Sequence, residues 1–354
     1  MFANRVFILF LFFIFDEQMN SINKHILIEA PLEWEDYEII DSGDGYKLER
    51  FGEYYLARPE PKAMWSKSLS DKEWDKLAHV FFKPGAGFGK AGKEESGSWE
   101  RLKKMSDNWF IEYKGKDYKA QEWSLKRHGH GEEDSYRDKL YFKLKLGLTA
   151  FKHIGVFPEQ APNWEWIYSK TKEIKNRIDT APKILNLFAY TGAATLAAKC
   201  SGGDVTHVDS VKQVVNWGKE NMTNSGLDNI RWIIDDALKF VKREIRRGNS
   251  YNGIILDPPA YGHGPDGERW KLDELIFEML SECEKIVAKK DAFVVLNLYS
   301  NGYSALLAET LLKKALGFNS NAKETKEVYT SGELVLKDKF DKVIPLSVFT
   351  RLER

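Results

Sequence analysis

At 354 residues, 43% hydrophobic and 30% charged, the chain reads as a globular protein long enough for two domains, which sets aside disordered and fibrous classes. Its formal net charge is zero, so no whole-molecule field announces a nucleic-acid partner. Cys200 and Cys283 are the only thiols and form no CxxC pair, which argues for free thiols rather than a disulfide framework or a cysteine metal centre.

The block RVFILFLFFIF, residues 5–15, is too short to span a bilayer, although its length and Arg5 suit a signal h-region. DEQMN follows with no small-residue cleavage site. Residues 1–18 therefore read as a mis-assigned start ahead of Met19, with a cytoplasmic location and no stable membrane association expected. Residues 36–59 predict a meander around the turn Asp44-Gly45. A helix is predicted over 71–82, capped by Ser70 or Asp71. Residues 83–98, rich in Gly and Lys, read as a loop. Residues 108–125 alternate on both sides of Lys-Gly-Lys-Asp and predict a second hairpin. His128 and His130 fit a loop better than a ligand pair, and no metal is expected.

Charge is uneven along this half, at about −7 for residues 16–82 and about +5 for residues 83–153. The basic segment interleaves Trp109, Tyr113, Tyr118, Trp123 and Tyr141 with lysine and arginine. Such a pattern serves either single-stranded RNA binding or a hairpin with one buried aromatic face. Residues 19–145 thus form the expected smaller N-terminal domain, β-rich or α+β, for substrate recognition, ahead of a second domain over 146–354.

From about residue 179 apolar strands alternate with helices. Strands are predicted at 183–190, 204–209, 230–237, 251–259, 292–300 and 343–352, and helices at 194–200, 211–226, from 238, at 272–289 and at 304–317. The class this implies is α/β, with a doubly wound parallel sheet whose ligands sit beyond the carboxyl ends of the strands.

Those strand ends carry the unusual residues. Gly192 in NLFAYTGAAT permits a sharp turn and close approach to a ligand, while the absence of GxGxxG and of a P-loop disfavours dinucleotides and nucleoside triphosphates. Asp209 ends the second strand, where an acid can accept ribose hydroxyls or cap the next helix. Asp235 and Asp236 end the third and face the same choice between a purine amine and a helix cap. The fourth ends in Asp257-Pro258-Pro259, whose prolines fix the backbone and present the carboxylate rigidly.

NLFAYTGAAT, VDS, IDDA and LDPPAY, in this order, resemble the class I S-adenosylmethionine (SAM)-dependent methyltransferases, and more narrowly the bacterial large-subunit rRNA base methyltransferases acting on cytosine C5 or guanine. GVFPEQ at 155–160 resembles the segment that precedes the sheet in that group, and DPPAYGHGPDGERWKL is similar to one of its subfamilies. The resemblance covers residues 145–354 well and the N-terminal part loosely. It implies a Rossmann-like methyltransferase sheet and SAM as cofactor. Phe188, Tyr190, Thr191 and Gly192 would shape the methionine pocket, Asp209 would hold the ribose, and Asp236, with Asp235 beside it, the adenine amine. Phe157, Glu159 and Gln160 would close over the cofactor. Asp257, Pro258 and Pro259 would sit at the reactive end, with Tyr261 stacking on a flipped base. One position departs from the pattern: Ser300 stands where C5-cytosine members carry a nucleophilic cysteine, so direct methylation of a nitrogen is favoured. The expected substrate is RNA, with rRNA first. The alternatives are a methyltransferase for protein or a small molecule, and a cofactor-binding RNA-binding module without turnover.

Overall fold

The computed structural model describes residues 26–31, 33–86, 96–116, 139–299, 302–317 and 327–354. The leader, His128, His130, Tyr118, Trp123 and Ser300 lie outside these residues.

After a short strand β1 (Leu27–Glu29), the predicted meander forms as β2 (Tyr37–Gly43), β3 (Tyr46–Phe51) and β4 (Tyr54–Pro59). Asp44 and Gly45 both adopt positive φ, the backbone an Asp-Gly hairpin turn requires. Helix α1 (Asp71–Leu77) carries a full capping box between Ser70 and Glu73. It ends before residue 82 because β5 (Val80–Pro84) begins there, parallel to β4 and antiparallel to β6 (Gly97–Arg101).

The second hairpin differs from the prediction. β7 (Asn108–Lys114) pairs with β8 (Tyr141–Gly147), in register from Asn108 opposite Gly147 to Lys114 opposite Tyr141. Trp109, Ile111 and Tyr113 face Leu146, Leu144 and Phe142, and all six are buried. That shared apolar face fixes the pairing. Trp109 and Tyr113 are therefore core residues, which removes them from any base-stacking surface.

A 3₁₀ turn (Pro158–Gln160) leads into α2 (Ala161–Ile178). The predicted alternation follows: β9 (Lys183–Leu187), α3 (Ala193–Cys200), β10 (Asp204–Asp209), α4 (Lys212–Asn224), β11 (Arg231–Ile234), α5 (Ala237–Arg246) and β12 (Gly253–Leu256). After β12 the glycine-rich stretch that follows the two prolines closes as a small hairpin, β13 (Tyr261–His263) against β14 (Arg269–Lys271). Then come α6 (Leu272–Glu284), β15 (Phe293–Tyr299), α7 (Ala305–Ala315), β16 (Val328–Lys337) and β17 (Val343–Glu353).

The large sheet has the order β1-β16-β17-β15-β12-β9-β10-β11. It is not wholly parallel: β17 runs antiparallel to both β15 and β16. Strand alternation sorts the core into two faces. Leu185, Leu187, Ile254, Leu256, Val294 and Leu296 pack with α5, α6 and α7. Ile184, Val205, Ile255, Phe293 and Val295 pack under α2 and α3. A third cluster joins β7 and β8 to Trp164 of α2 and Leu196 of α3, so the N-terminal part and the large sheet share apolar core. The chain ends are tied as well. Ser42 donates to Asp338 at 2.6 Å, and Lys342 Nζ donates to Asp41 at 2.7 Å, both across the gap between β2 and the β16–β17 turn.

Candidate active site

Chain order reverses beside β9: its sequence neighbour β10 lies on one side and β12 on the other. Such a switch point opens a crevice beyond the strand ends. A cleft is present there. Its walls are the 155–160 segment, α2, the loop after β9, and the ends of β12 and β15.

Alternation puts polar groups on one face. Asn186 follows Ile184, Asp257 follows Ile255, and Asn297 follows Val295, each at a spacing of two, so all three lie on the α2 side. All three line the cleft. His207 shares their parity on β10 but sits behind the wall, fully buried, with Nδ1 2.9 Å from Thr195 Oγ1. Burial pushes its imidazole down to about 3, so it remains neutral.

The loop after β9 is strained in a regular way. Phe188 (φ 55°), Tyr190 (φ 50°) and Gly192 (φ 90°) all occupy the left-handed region. For Phe and Tyr this costs about 1–3 kcal/mol each and persists only where the surroundings impose it. The surroundings do so here. Tyr190 N–H donates to Asp209 Oδ2 at 2.9 Å, Thr191 Oγ1 donates to Gly155 O at 2.6 Å, and Asn221 Nδ2 donates to Thr191 O at 3.0 Å. The Thr191 bond also straps the GVFPEQ segment to the loop.

Of the candidate residues, Phe157, Gln160, Phe188, Tyr190, Thr191, Gly192 and Asp257 come together in the cleft wall. Seven other candidates lie outside it. Asp209 holds the backbone of Tyr190 and Val211. Asp235 pairs with Arg243 at 2.6 Å, and Asp236 caps α5 by accepting from Lys239 N–H. Glu159 is buried on the far side of its turn, where desolvation raises its carboxyl. Pro258 is buried, and the carbonyl of Pro259 accepts from Trp270 Nε1 at 2.7 Å. Tyr261 is exposed on the small hairpin.

Two polar atoms of the wall are buried with no partner among the described residues: Gln160 Nε2 and Asn297 Oδ1. The Gln160 amide is oriented by a relay, since its Oε1 accepts from Asn163 Nδ2 at 2.9 Å and Asn163 Oδ1 accepts from Arg351 Nη2 at 2.8 Å. Asn297 Nδ2 donates to Asp257 Oδ1 at 2.7 Å. Leaving a buried donor or acceptor unmade costs about 1–3 kcal/mol, so such atoms ask for a ligand. The orphan donor at Gln160 Nε2 fits the carboxylate of the amino-acid end of SAM. Desolvation raises the Asp257 carboxyl to about 7, against the Asn297 bond that lowers it, and nearby Glu159 pushes it further up. Sequence reasoning passed over Asn186, Asn297, Asn163 and Arg351. The signal for the first two was a lone amide in an apolar strand at the same spacing as the strand-end acid.

A switch-point cleft with a strained first loop and a half-buried strand-end acid defines a Rossmann-like methyltransferase site. Residues 169–301 match the family model described as conserved hypothetical protein 95. A solved SAM-dependent methyltransferase from Agrobacterium tumefaciens is 33% identical, with a TM-score of 0.75 over 92% of this chain and 93% of that one. The chain belongs to the SAM-dependent methyltransferases. A solved methyltransferase chain from Streptococcus mutans, 14% identical with a TM-score of 0.60 over 95% of this chain and 78% of that one, shares the fold. A ribosomal RNA large subunit methyltransferase K/L from Shewanella frigidimarina is 29% identical over 159 residues, 44% of this chain and 21% of the relative. The chain thus spans about a fifth of the length of the curated relatives it matches.

Proposed function

We propose that this methyltransferase modifies a nitrogen of a base in RNA, with rRNA as the substrate and residues 19–145 as its recognition part. The observation that carries the reading is Asp257: a carboxyl raised to about 7 at the cleft floor, bonded to Asn297 and followed by two prolines. A base with this affinity accepts a proton efficiently near neutral pH. The thiols favour nitrogen over C5 chemistry. Burial pushes Cys200 up to about 11 and Cys283 higher still, and neither lines the cleft. The rRNA methyltransferases among the relatives support the substrate class.

When bound, SAM supplies an electrophilic methyl group. Phe188, Tyr190, Thr191 and Gly192 surround its methionine end, and Gln160 Nε2 offers a donor to its carboxylate. Asp209, through the lone pairs its backbone bonds leave, takes the ribose; Asp236, with Asp235 held by Arg243, lies toward the adenine. Phe157 closes the site from the cap of the 3₁₀ turn, and Glu159 acts on it from behind through its charge on Asp257. Asp257 receives the proton, Pro258 and Pro259 hold it in place, and Tyr261 on the rim hairpin stacks on the target base.

The test is transfer from radiolabelled SAM to total RNA and total protein of a strain lacking the gene, with Asp257→Ala as control. Label in RNA that the variant does not deliver supports the reading. Label confined to protein ends the RNA assignment.

A further inference from the structure

We propose that Asn297 and Asp257 form a two-acceptor cradle for an exocyclic amino group of the target base, which makes Asn297 a specificity-determining residue. This rests on the RNA-base reading and goes further by naming the class of atom. Asn297 is 2% exposed and lines the cleft from β15. Its Nδ2 donates to Asp257 Oδ1 at 2.7 Å. That bond fixes the amide, because nitrogen must face the carboxylate, and Oδ1 is left without a partner among the described residues.

The floor of the cleft therefore presents Asn297 Oδ1 and the Asp257 carboxylate as neighbouring acceptors. A primary amine, with two N–H bonds, satisfies both. A carbonyl sets lone pairs against lone pairs, and a ring nitrogen without hydrogen leaves Asn297 empty. Sites built around a substrate N–H reject analogues that lack it by as much as about 10⁴-fold. Gln160 Nε2, the other orphan, is a donor and so calls for an acceptor. The two orphans thus select opposite groups.

In the transfer the amine nitrogen bonds the methyl carbon while the carbon–sulfur bond breaks with its electron pair left on sulfur. The surplus N–H proton passes to Asp257, and the second N–H stays on Asn297 Oδ1. Asn297 from β15 and Glu159 from the 3₁₀ turn are the groups that bear on the Asp257 charge.

The experiment combines product identification with two variants. Mass spectrometry of nucleosides from methylated RNA should find the methyl on the amino group of adenosine, guanosine or cytidine; methyl on a carbon or on ribose overturns the cradle. Asn297→Leu should cut transfer to RNA about 100-fold or more while S-adenosylhomocysteine affinity, measured by calorimetry, stays within about threefold. An equal loss of affinity would instead assign Oδ1 to the cofactor ammonium and overturn the proposal. Asn297→Asp keeps an acceptor but removes the donor to Asp257 and adds a like charge, so the acidic limb of the pH–rate profile should move upward by about one unit. An unmoved limb overturns the proposal even if Asn297→Leu fails to fold. Label confined to protein defeats the RNA reading; the cradle is then supported by methyl on a side-chain nitrogen and overturned by methyl on carbon or carboxylate. Absence of label in both fractions defeats both.

Discussion

In the N-terminal sheet Glu49 is fully buried, yet it accepts from Arg58 at 2.7 and 2.8 Å and from Tyr37 at 3.0 Å. Asp41, equally buried, accepts from the backbone of Ser68 and Leu69, from Trp74 Nε1 and from Lys342. In the large sheet the pattern inverts. Among the described residues, every buried side-chain polar atom without a partner belongs to residue 160 or later. Thr171, Arg243 and Ser347 are scattered, but Gln160 and Asn297 meet in the cleft, with His207 and Trp232 in tilted ring contact behind it. Burial with full pairing is architecture. Burial with a partner missing, gathered around one cleft, marks where a ligand completes the structure.

The largest effect that can break this comparison lies at Asp257. Asp257→Asn should lower kcat/KM about 10²–10⁴-fold, measured by transfer to RNA, because the variant cannot take the proton. In the unaltered enzyme the rate should rise with pH through about 7 as the carboxylate forms.

Arg58 is the counterpart in the paired region. Arg58→Ala should destabilise the chain by about 3–5 kcal/mol in urea titrations, since it strands the Glu49 carboxylate. Adding Glu49→Leu should recover much of that loss. If the double variant is as unstable as the single, the network is more than a self-contained pair.

Gly155→Ala should weaken S-adenosylhomocysteine binding about tenfold, or about 1.4 kcal/mol, read by calorimetry. Gly155 has φ 108°, and a Cβ there would lie 2.5 Å from Trp217, so the strap to Thr191 must shift. The smallest effect concerns stability against pH. The folded protein holds a proton on Asp257 between the ordinary 3.8 and about 7, so this group stabilises below the lower value and its contribution is lost as pH rises through 7. Asp257→Asn should therefore melt about 2 °C higher than the unaltered protein at pH 8 and about equally at pH 4, by differential scanning calorimetry.

Sequence legibility follows the same divide between local and distant causes. Asp44-Gly45 and a helix cap at Ser70 or Asp71 could be read because turn and cap chemistry act within a few residues. The strand-end residues Gly192 and Asp257 could be read because each interrupts an apolar run. The partner of β7 could not, since Tyr141 lies 27 positions beyond Lys114 and the choice depends on packing under α2. Helix α2 and strand β16 went unread. Pro162 and a mixed run of Trp, Lys and Glu obscure the first, and polar Thr330, Ser331 and Gly332 the second. The Glu29–Arg351–Asn163–Gln160 relay joins residues from both chain ends and leaves no local trace.

Asp41 and Lys342 are 301 residues apart in the chain. At synthesis rates of about 5–20 residues per second, the buried carboxylate of β2 emerges roughly 15–60 s before its lysine exists. The first sheet to leave the ribosome thus holds this carboxylate on local N–H donors alone, without its counter-charge, until the β16–β17 ribbon arrives. Its final closure is a late event in the life of the nascent chain, and a ribosome stalled before residue 342 should display a β2–β4 meander still open to proteases.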